Sequence, residues 1–256
     1  MITFLGFFFR NSASRRIGSV TPRLVQTRPF NSDVFERLGA FARDGLLAIS
    51  LVLCMGWCAP SVYAQISTSV APNQLPTGAA VKAGQASISQ AGNTLNVNQT
   101  SQRAVVDWST FNVGQNATVN FQQPSAQSAT LNRVLDTQPS QILGRITAPG
   151  QVVLVNPQGV YFGKSSSVDV GGLVATTHNV VNQEFMDGQL KLNRNGATGK
   201  VENEGELRAA LGGYIALLAP EVRNSGVIVA NLGTVALAAG ETFELQFDGS
   251  GALSNV

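Results

Sequence analysis

Short apolar runs separated by turn residues dominate the second part of the chain. Val152–Val155, Tyr214–Leu218 and Val227–Val229 are rich in β-branched or aliphatic side chains, and Gly, Asn or Pro residues flank them. After Gln65, no segment carries an apolar stripe at the 3.6-residue spacing of an amphipathic helix over about 11 residues. This pattern predicts many short β-strands.

An internal repeat organises these strands. Residues 201–220 align with residues 222–241 without a gap, with six identities. A period of about 20 residues is typical of a parallel β-solenoid, in which each repeat forms one coil. The alternative is chance similarity within a low-complexity sequence.

The repeat predicts where its members lie in a coil. Four apolar residues are expected to point into the core: Val201, Leu207, Val222 and Ile228. Asn203 and Asn224 are expected at a bend, because Asn tolerates a left-handed backbone and its amide can hydrogen-bond to the Asn of the next coil. Gly205 and Gly226 then permit positive φ. About 190 residues at about 21 per coil give about nine coils.

Composition and charge exclude several classes of protein. The chain of 256 residues is 44% hydrophobic but only 12% charged, which disfavours a coiled coil or a charged helical bundle. Its net charge is +2, yet from Gln65 onward 10 Lys and Arg face 12 Asp and Glu, a net charge of −2. The basic excess therefore lies before Gln65, and nothing favours a nucleic-acid partner.

Residues 1–64 are typical of an extended bacterial signal peptide. Leu46–Met55 is an apolar run of the length of a signal-peptide core, and Arg37 and Arg43 precede it. The small residues Val62 and Ala64 occupy the −3 and −1 positions of a cleavage site between Ala64 and Gln65. We therefore expect the Sec machinery and signal peptidase to act on the chain, leaving residues 65–256 as the mature domain.

Three other interpretations of this leader are open but less favoured. A retained membrane anchor would need about 20 apolar residues, which the run does not reach. A lipoprotein would need small residues just before Cys54 or Cys58, and a mitochondrial transit peptide is not normally followed by such a core and cleavage site. Export through the periplasm is the expectation, to the medium or the bacterial cell surface.

Few residues of the mature domain suit catalysis. Both Cys precede Gln65, so no disulfide and no Cys ligand is expected, and His178 is the single His. It is predicted to be a polar strand or loop residue. A polysaccharide-degrading β-helix enzyme would need clustered carboxylates, and the candidates are Asp169, Asp187 and the group Glu202, Glu204 and Glu206. The last group alternates at strand spacing, which is typical of a solvated outer face, so we expect no enzyme, no metal and no cofactor.

Asn156–Gly159 forms a turn signal between two predicted strands, 152–155 and 160–163. Pro157 sets φ at about −65° at the second position of a β-turn, and Gly159 suits the fourth. From the residues alone, the segment shapes a corner of the solenoid.

Three sequence blocks resemble the N-terminal secretion domain of filamentous-haemagglutinin-type exoproteins, the secreted partners of bacterial two-partner secretion. They are residues 106–123, residues 131–134 (LNRV) and residues 140–175. The resemblance covers about residues 65–250 and the extended signal peptide. It implies an all-β fold, a right-handed parallel β-helix (β-solenoid) with N-terminal capping strands.

The resemblance also suggests sites of recognition. The family's Asn-Pro-Asn-Gly-Ile motif falls on Asn156–Val160, so Asn156, Pro157, Gln158 and Gly159 are the candidate transporter-recognition turn. Gln158 and Val160 depart from the motif. A second family motif, Asn-Pro-Asn-Leu, has no counterpart, and the LNRV block points to the adhesin-like branch of high-molecular-weight adhesins. Secondary recognition residues are Asn132, Arg133, Gln141 and Gly144.

By resemblance, the partner is an outer-membrane transporter of the Omp85 type whose POTRA domains bind the chain in the periplasm. The chain would then fold outside the cell. A different class is a free-standing surface adhesin that binds a host-cell receptor or glycan, and a β-helix enzyme is a weaker alternative. Family exoproteins usually continue much further, and Gly249–Val256 contains no recognisable cap, so we expect a fragment, a truncated gene product or a separately encoded secretion module.

Overall fold

The computed structural model describes residues 69–248 and 251–256. The predicted signal peptide and its cleavage site at Ala64 and Gln65 lie outside the described residues. The strands are β1 (Ala80–Ala83), β2 (Ala86–Ala91), β3 (Thr94–Gln99), β4 (Arg103–Trp108), β5 (Thr118–Gln122), β6 (Ala129–Val134), β7 (Ser140–Ile142), β8 (Arg145–Val155), β9 (Val160–Phe162), β10 (Ser167–Thr176), β11 (Asn179–Val180), β12 (Leu190–Asn193), β13 (Lys200–Asn203), β14 (Glu206–Ala219), β15 (Glu221–Asn224), β16 (Val227–Ala230), β17 (Thr234–Ala239), β18 (Thr242–Phe247) and β19 (Leu253–Asn255). Within these described residues there is one short helix, α1 (Asn182–Met186), between β11 and β12.

Successive coils stack in sequence order and form a parallel β-solenoid of about seven turns. The strands of the largest sheet follow the order β1-β4-β6-β8-β10-β14-β16, and β15-β13-β9-β7 form a second, parallel sheet. The long strand β8 pairs with β5 over its first residues and with β6 over its last. Long strands of this kind, including β10, continue across a corner of the solenoid. At the corner in β10, the register with β8 and with β14 shifts between Val170 and Gly172. The predicted all-β solenoid is confirmed.

Two antiparallel additions account for the difference between the nine coils expected and the seven observed. At the N-terminal end, β1 pairs antiparallel with β4, and β2 pairs antiparallel with β3, as predicted for capping strands. A separate antiparallel sheet has the strand order β11-β12-β18-β19. The estimate of about nine coils had counted its residues as part of the solenoid. We call this sheet together with α1 the lateral layer.

The predicted repeat is confirmed over its first nine residues. Val201 lies opposite Val222 and Asn203 opposite Asn224 in the ladder of β13 and β15, and Leu207 lies opposite Ile228 in that of β14 and β16. Beyond Ala209 the offset between coils is smaller by one, since Tyr214 pairs with Thr234. The alignment of Leu211 and Gly212 with Leu232 and Gly233 is therefore wrong, because the corner of the last coil is one residue shorter.

Apolar side chains fill both sides of the main sheet. Inside the coils, Val201 and Leu207 are fully buried, and Val222 and Ile228 pack against the same cluster, as predicted. A second cluster lies on the opposite face, under the lateral layer, and includes Leu131, Val153, Leu218, Phe185 and Leu245. Strands buried on both faces are apolar at consecutive positions rather than alternately, which explains runs such as Val152–Val155.

Asn203 forms the predicted ladder but not the predicted backbone conformation. Its amide donates a hydrogen bond of 2.8 Å to the side-chain oxygen of Asn224, and its own oxygen accepts one of 3.1 Å from the backbone N–H of Gly205. Among the described non-glycine residues, only Asn195 and Leu232 have positive φ. Asn is thus used at position 203 for its hydrogen bonds.

Neither Gly205 nor Gly226 is among the described glycines with positive φ, so that expectation is wrong. These glycines instead allow neighbouring coils to approach each other closely. A Cβ at Gly226 would lie 2.2 Å from the carbonyl oxygen of Gly205. At another corner, a Cβ at Gly213 would lie 2.1 Å from the oxygen of Gly171, and one at Gly233 would lie 1.9 Å from the oxygen of Gly213. We call Gly171, Gly213 and Gly233 the corner glycine column.

No helix in the described part of the chain has the length and hydrophobicity needed to cross a bilayer.

Candidate functional site

The Asn156–Gly159 turn connects β8 to β9 at a corner of the solenoid. The backbone N–H of Gly159 donates a hydrogen bond of 2.9 Å to the carbonyl of Asn156, which closes the β-turn predicted from the sequence. Gly159 has φ +126°, and a Cβ there would lie 2.9 Å from the carbonyl oxygen of Lys200. Both the conformation and the close neighbouring coil require glycine at this position.

Asn156 is fully buried and holds the turn from within. Its amide donates hydrogen bonds of 3.0 Å to the carbonyl of Gln138 and to the Ser140 hydroxyl. Its side-chain oxygen accepts one of 2.9 Å from the backbone N–H of Gln158. Asn156 therefore joins this turn to Gln138 and to the first residue of β7 in the adjacent coil.

Gln158, the departure from the family motif, is exposed at the tip of the turn. It is not among the described residues with positive φ. The greater length of Gln and its lower tolerance of a left-handed backbone therefore cost nothing here. The β-branched Val160 is buried, as a strand residue of β9 facing the core.

Asn132 and Arg133 lie on β6, opposite Leu154 and Val155 at the end of β8, and their side chains bind parts of the domain other than the exposed tip of the turn. Asn132 is fully buried, and its side-chain oxygen accepts a hydrogen bond of 3.0 Å from the indole of Trp108. Arg133 contacts the Asp107 carboxylate at 3.3 Å and donates a hydrogen bond of 2.7 Å to the carbonyl of Val180. Arg133 thus ties the main sheet to the lateral layer.

Gln141 and Gly144 have different environments. Gly144 is buried at a close approach of coils, where a Cβ would lie 2.1 Å from the carbonyl oxygen of Gly114. Gln141 is half-buried on the outer face of β7, directly opposite Tyr161 of β9 in the parallel ladder. Of the secondary recognition residues, the structure brings only Gln141 together with the exposed side of the turn.

A shallow groove of about 230 Å³ lies beside the turn. Pro139, Gln141, Gln158, Tyr161, Lys200 and Glu202 are among the residues that line it. Sequence reasoning did not select Tyr161 or Lys200. The alternation of Val160, Tyr161 and Phe162 was a usable signal, because a Tyr between two core-facing residues points outward. We call this feature the turn groove.

The three Glu side chains considered for catalysis are engaged with other side chains. Glu202 pairs with Lys200, Glu206 pairs with Arg208, and Glu204 accepts a hydrogen bond of 2.9 Å from the Tyr161 hydroxyl. Within residues 69–248 and 251–256, no group of three or more His, Cys, Asp or Glu side chains is arranged to hold a metal ion.

His178 is a buried structural residue in the loop between β10 and β11. Its Nε2 lies 3.0 Å from the carbonyl oxygen of Gly240, to which the Nε2–H tautomer donates, and its ring packs against Phe243 with centroids 5.0 Å apart. Burial lowers the pKa of His178, an effect that the hydrogen bond to Gly240 partly opposes. His178 therefore fastens the lateral layer to the solenoid in its neutral form.

Because its pKa is lowered on folding, His178 should make the domain less stable in acid. As the pH falls below about 6.5, the unfolded chain binds a proton that the folded chain resists. We expect the free energy of unfolding to fall between about pH 7.5 and pH 5, and to fall less in His178→Gln, in which an amide can replace the bond to Gly240. Urea unfolding of both proteins at both pH values measures this, and equal pH dependence would contradict the assignment.

The fold is that of a β-solenoid secretion domain, and comparisons with known proteins agree. The crystal structure of the HMW1 secretion domain from Haemophilus influenzae matches with a TM-score of 0.66 and 28% identity, over 70% of this chain and 49% of that one. The family model of the TPS secretion domain, where TPS denotes two-partner secretion, matches residues 73–255. The chain belongs to this family, as the sequence blocks predicted.

Two proteins named heme/hemopexin-binding protein, both from Haemophilus influenzae, are relatives in sequence. That of strain Rd is 34% identical over 191 residues, which are 72% of this chain and 21% of that protein. The other is 40% identical over 86 residues, 34% of this chain and 9% of that protein. The chain thus spans about a fifth of the length of the first relative.

Membership of the family defines the general role of the domain. TPS domains are the secretion domains of exoproteins, which are secreted or surface-associated, and the family is not known for enzymes. A TPS domain implies a partner transporter of the Omp85 family.

Proposed function

We propose that this chain is exported through the periplasm, where the POTRA domains of an Omp85-type transporter bind it in an extended, unfolded form. Signal peptidase removes residues 1–64 first, by cleavage between Ala64 and Gln65. The chain then crosses the outer membrane unfolded and forms its solenoid outside. It acts as a secretion domain and has no enzymatic activity of its own.

The position of Val152–Val155 carries this proposal. These residues belong to β8, which lies between β6 and β10 in the sheet, and all four side chains are buried. An extended segment can bind a POTRA domain by adding a strand to its sheet edge through backbone hydrogen bonds. In the folded solenoid those backbone groups are already paired, so only the unfolded chain can offer them. Folding therefore releases the chain from the transporter and disfavours its return.

Two further properties suit transport in an unfolded form. After cleavage the chain contains no Cys, so no disulfide can fix a fold in the periplasm. The parallel pairings join segments that are distant in sequence, as between Val201 and Val222, and non-local pairing slows folding. The chain thus has time to be bound before its coils form.

A disulfide between neighbouring coils tests the requirement for unfolding. Glu202 and Arg223 lie directly opposite each other in the parallel ladder of β13 and β15, outside the core, so two Cys there can bond across adjacent strands. Expressed with the cognate transporter, Glu202→Cys/Arg223→Cys should remain in the periplasm and reach the medium when a reducing agent is added. The amount of chain in each fraction, and the N-terminal residue of the secreted product, are the measurements.

The matched controls are the two single Cys variants, which should be secreted like the original chain. A transporter without its POTRA domains should leave every variant in the periplasm. Secretion of the oxidised double variant would contradict passage in the unfolded form. Secretion without POTRA domains would contradict recognition by them, and an N-terminus other than Gln65 would contradict the cleavage site.

The alternative of a surface adhesin, which binds a host receptor or glycan, is favoured by one observation. The turn groove places an aromatic side chain among polar ones on the outside of the folded solenoid. Binding there would follow secretion rather than replace it.

A further inference from the structure

The turn groove lies across three neighbouring strands of the β15-β13-β9-β7 sheet. Gln141, Tyr161 and Glu202 occupy registered positions on β7, β9 and β13. At the usual spacing of adjacent strands, their Cα atoms lie about 5 Å apart in succession. The row thus presents an amide, an aromatic ring and a carboxylate over about 10 Å of a flat surface.

The ring of Tyr161 is held in one orientation. It lies against Gly163 and near the Leu143 side chain, since a Cβ at Gly163 would be 3.2 Å from the ring carbon Cε1 and 2.5 Å from Leu143 Cδ2. Its hydroxyl donates a hydrogen bond of 2.9 Å to the Glu204 carboxylate on the adjacent coil. Because the ring is already held at both ends, it loses little conformational entropy when a ligand stacks on it.

The ionisation of Tyr161 matches this role. Burial raises the pKa of Tyr161, and the hydrogen bond to Glu204 and the charge of Glu202 raise it further. The hydroxyl therefore remains a neutral donor, and the ring keeps an uncharged face.

Polar groups surround the apolar centre of the turn groove. Lys200 forms an ion pair with Glu202, and Gln141 and Gln158 provide amides. The amides both donate and accept hydrogen bonds, the carboxylate accepts and the ammonium donates. Of the lining residues, Lys200 and Glu202 offset each other's charge, and the Glu204 carboxylate at the Tyr161 hydroxyl adds a negative charge, which disfavours an anionic ligand.

We propose that the turn groove binds a neutral saccharide, with one sugar ring stacked on Tyr161 and its hydroxyl groups hydrogen-bonded to Gln141 and Glu202. Sugar rings combine an apolar face of C–H groups with a rim of hydroxyls that donate and accept, which matches an aromatic centre inside a polar rim. The open, shallow shape suits part of a longer glycan rather than an enclosed small molecule. The proposal is independent of the transporter, because it concerns the folded domain.

Titration of the purified full chain, followed by NMR, tests this proposal with three probes: maltotriose and N,N′,N″-triacetylchitotriose as neutral oligosaccharides, and a heparin-derived tetrasaccharide as an anionic one. We expect at least one neutral probe to shift the resonances of Tyr161 and its neighbours on β7 and β13. Tyr161→Ala should weaken that binding about tenfold, the effect of losing an aromatic stacking contact. Tyr161→Phe, which keeps the ring, should change it by no more than about threefold.

Two variants separate binding from folding. Arg223→Ala removes an exposed side chain of the same sheet one coil beyond Glu202, outside the groove lining, and should bind like the original chain. Glu202→Gln replaces a groove residue whose side chain lies outside the core by one of nearly the same shape, so the fold should be kept. The substitution should weaken binding. Absence of any shift with both neutral probes, preference for the heparin fragment, or unchanged binding by a folded Tyr161→Ala would overturn the proposal.

Discussion

Replacing Asn156 by alanine should lower the free energy of unfolding by about 3 kcal/mol and reduce the amount of secreted chain severalfold. The substitution removes three hydrogen bonds within a buried corner and leaves the carbonyl of Gln138 and the Ser140 hydroxyl without this donor. Each buried group that loses its partner costs about 1–3 kcal/mol. Urea unfolding and quantification of the chain in the medium measure the two effects.

Gln158→Ala is the matched control, two residues along the same turn. The Gln158 side chain is exposed, and Asn156 binds the backbone N–H of Gln158 rather than its side chain. We expect stability to change by less than about 0.5 kcal/mol and secretion to be unchanged, because on this proposal the motif affects secretion only through the stability of the solenoid that forms outside the cell. A loss of secretion in Gln158→Ala without a loss of stability would instead indicate that the transporter contacts this side chain.

Gly213→Ala should destabilise the folded domain by about 3 kcal/mol or more. Gly213 is in the corner glycine column, and an added Cβ would lie 2.1 Å from a backbone carbonyl oxygen of the preceding coil. Backbone cannot rotate away as a flexible side chain can, so the two coils must separate locally. The expected measurement is a lower midpoint of urea unfolding, at a slope close to that of the original chain.

Gly212→Ala, at the adjacent residue, separates collision from backbone strain. Gly212 has φ +74°, and nothing lies within 4 Å of the position of an added Cβ. Only the cost of a left-handed backbone applies, about 1–2 kcal/mol. If Gly212→Ala proved as destabilising as Gly213→Ala, close packing between coils would not be the reason for glycine in the column.

The sequence predicted the solenoid because its repeat records which residues lie opposite each other in neighbouring coils. Val201, Asn203 and Leu207 find their predicted partners for this reason. The repeat could not indicate the lateral layer, since β12 and β18 pair antiparallel between segments that are far apart in sequence and share no common pattern. The uninterrupted apolar runs Val152–Val155 and Tyr214–Leu218 were the local signs of burial on both faces.

The turn was predictable for a similar reason, whereas its surroundings were not. Pro157 and Gly159 have local conformational preferences that identify a β-turn from the sequence. The inward direction of Asn156 depends on Gln138 and Ser140 of the adjacent coil, and these contacts arise only when coils stack. The turn groove is likewise assembled from three strands, so no single segment of sequence contains it.

The lateral layer changes how stability is distributed along the molecule. In a simple solenoid each coil touches only its neighbours, and stability is a sum of local terms from which end coils can fray. Here the Gln151 amide donates a hydrogen bond of 3.3 Å to the carbonyl of Gly251, 100 residues later. Leu245 and Leu253 pack with Leu131 and Val153 in the second apolar cluster, under the lateral layer. Leu245 and Leu253 thus complete a core to which Leu131 and Val153 already belong, so coils that are distant in sequence are coupled and the domain gains the cooperativity of a globular protein.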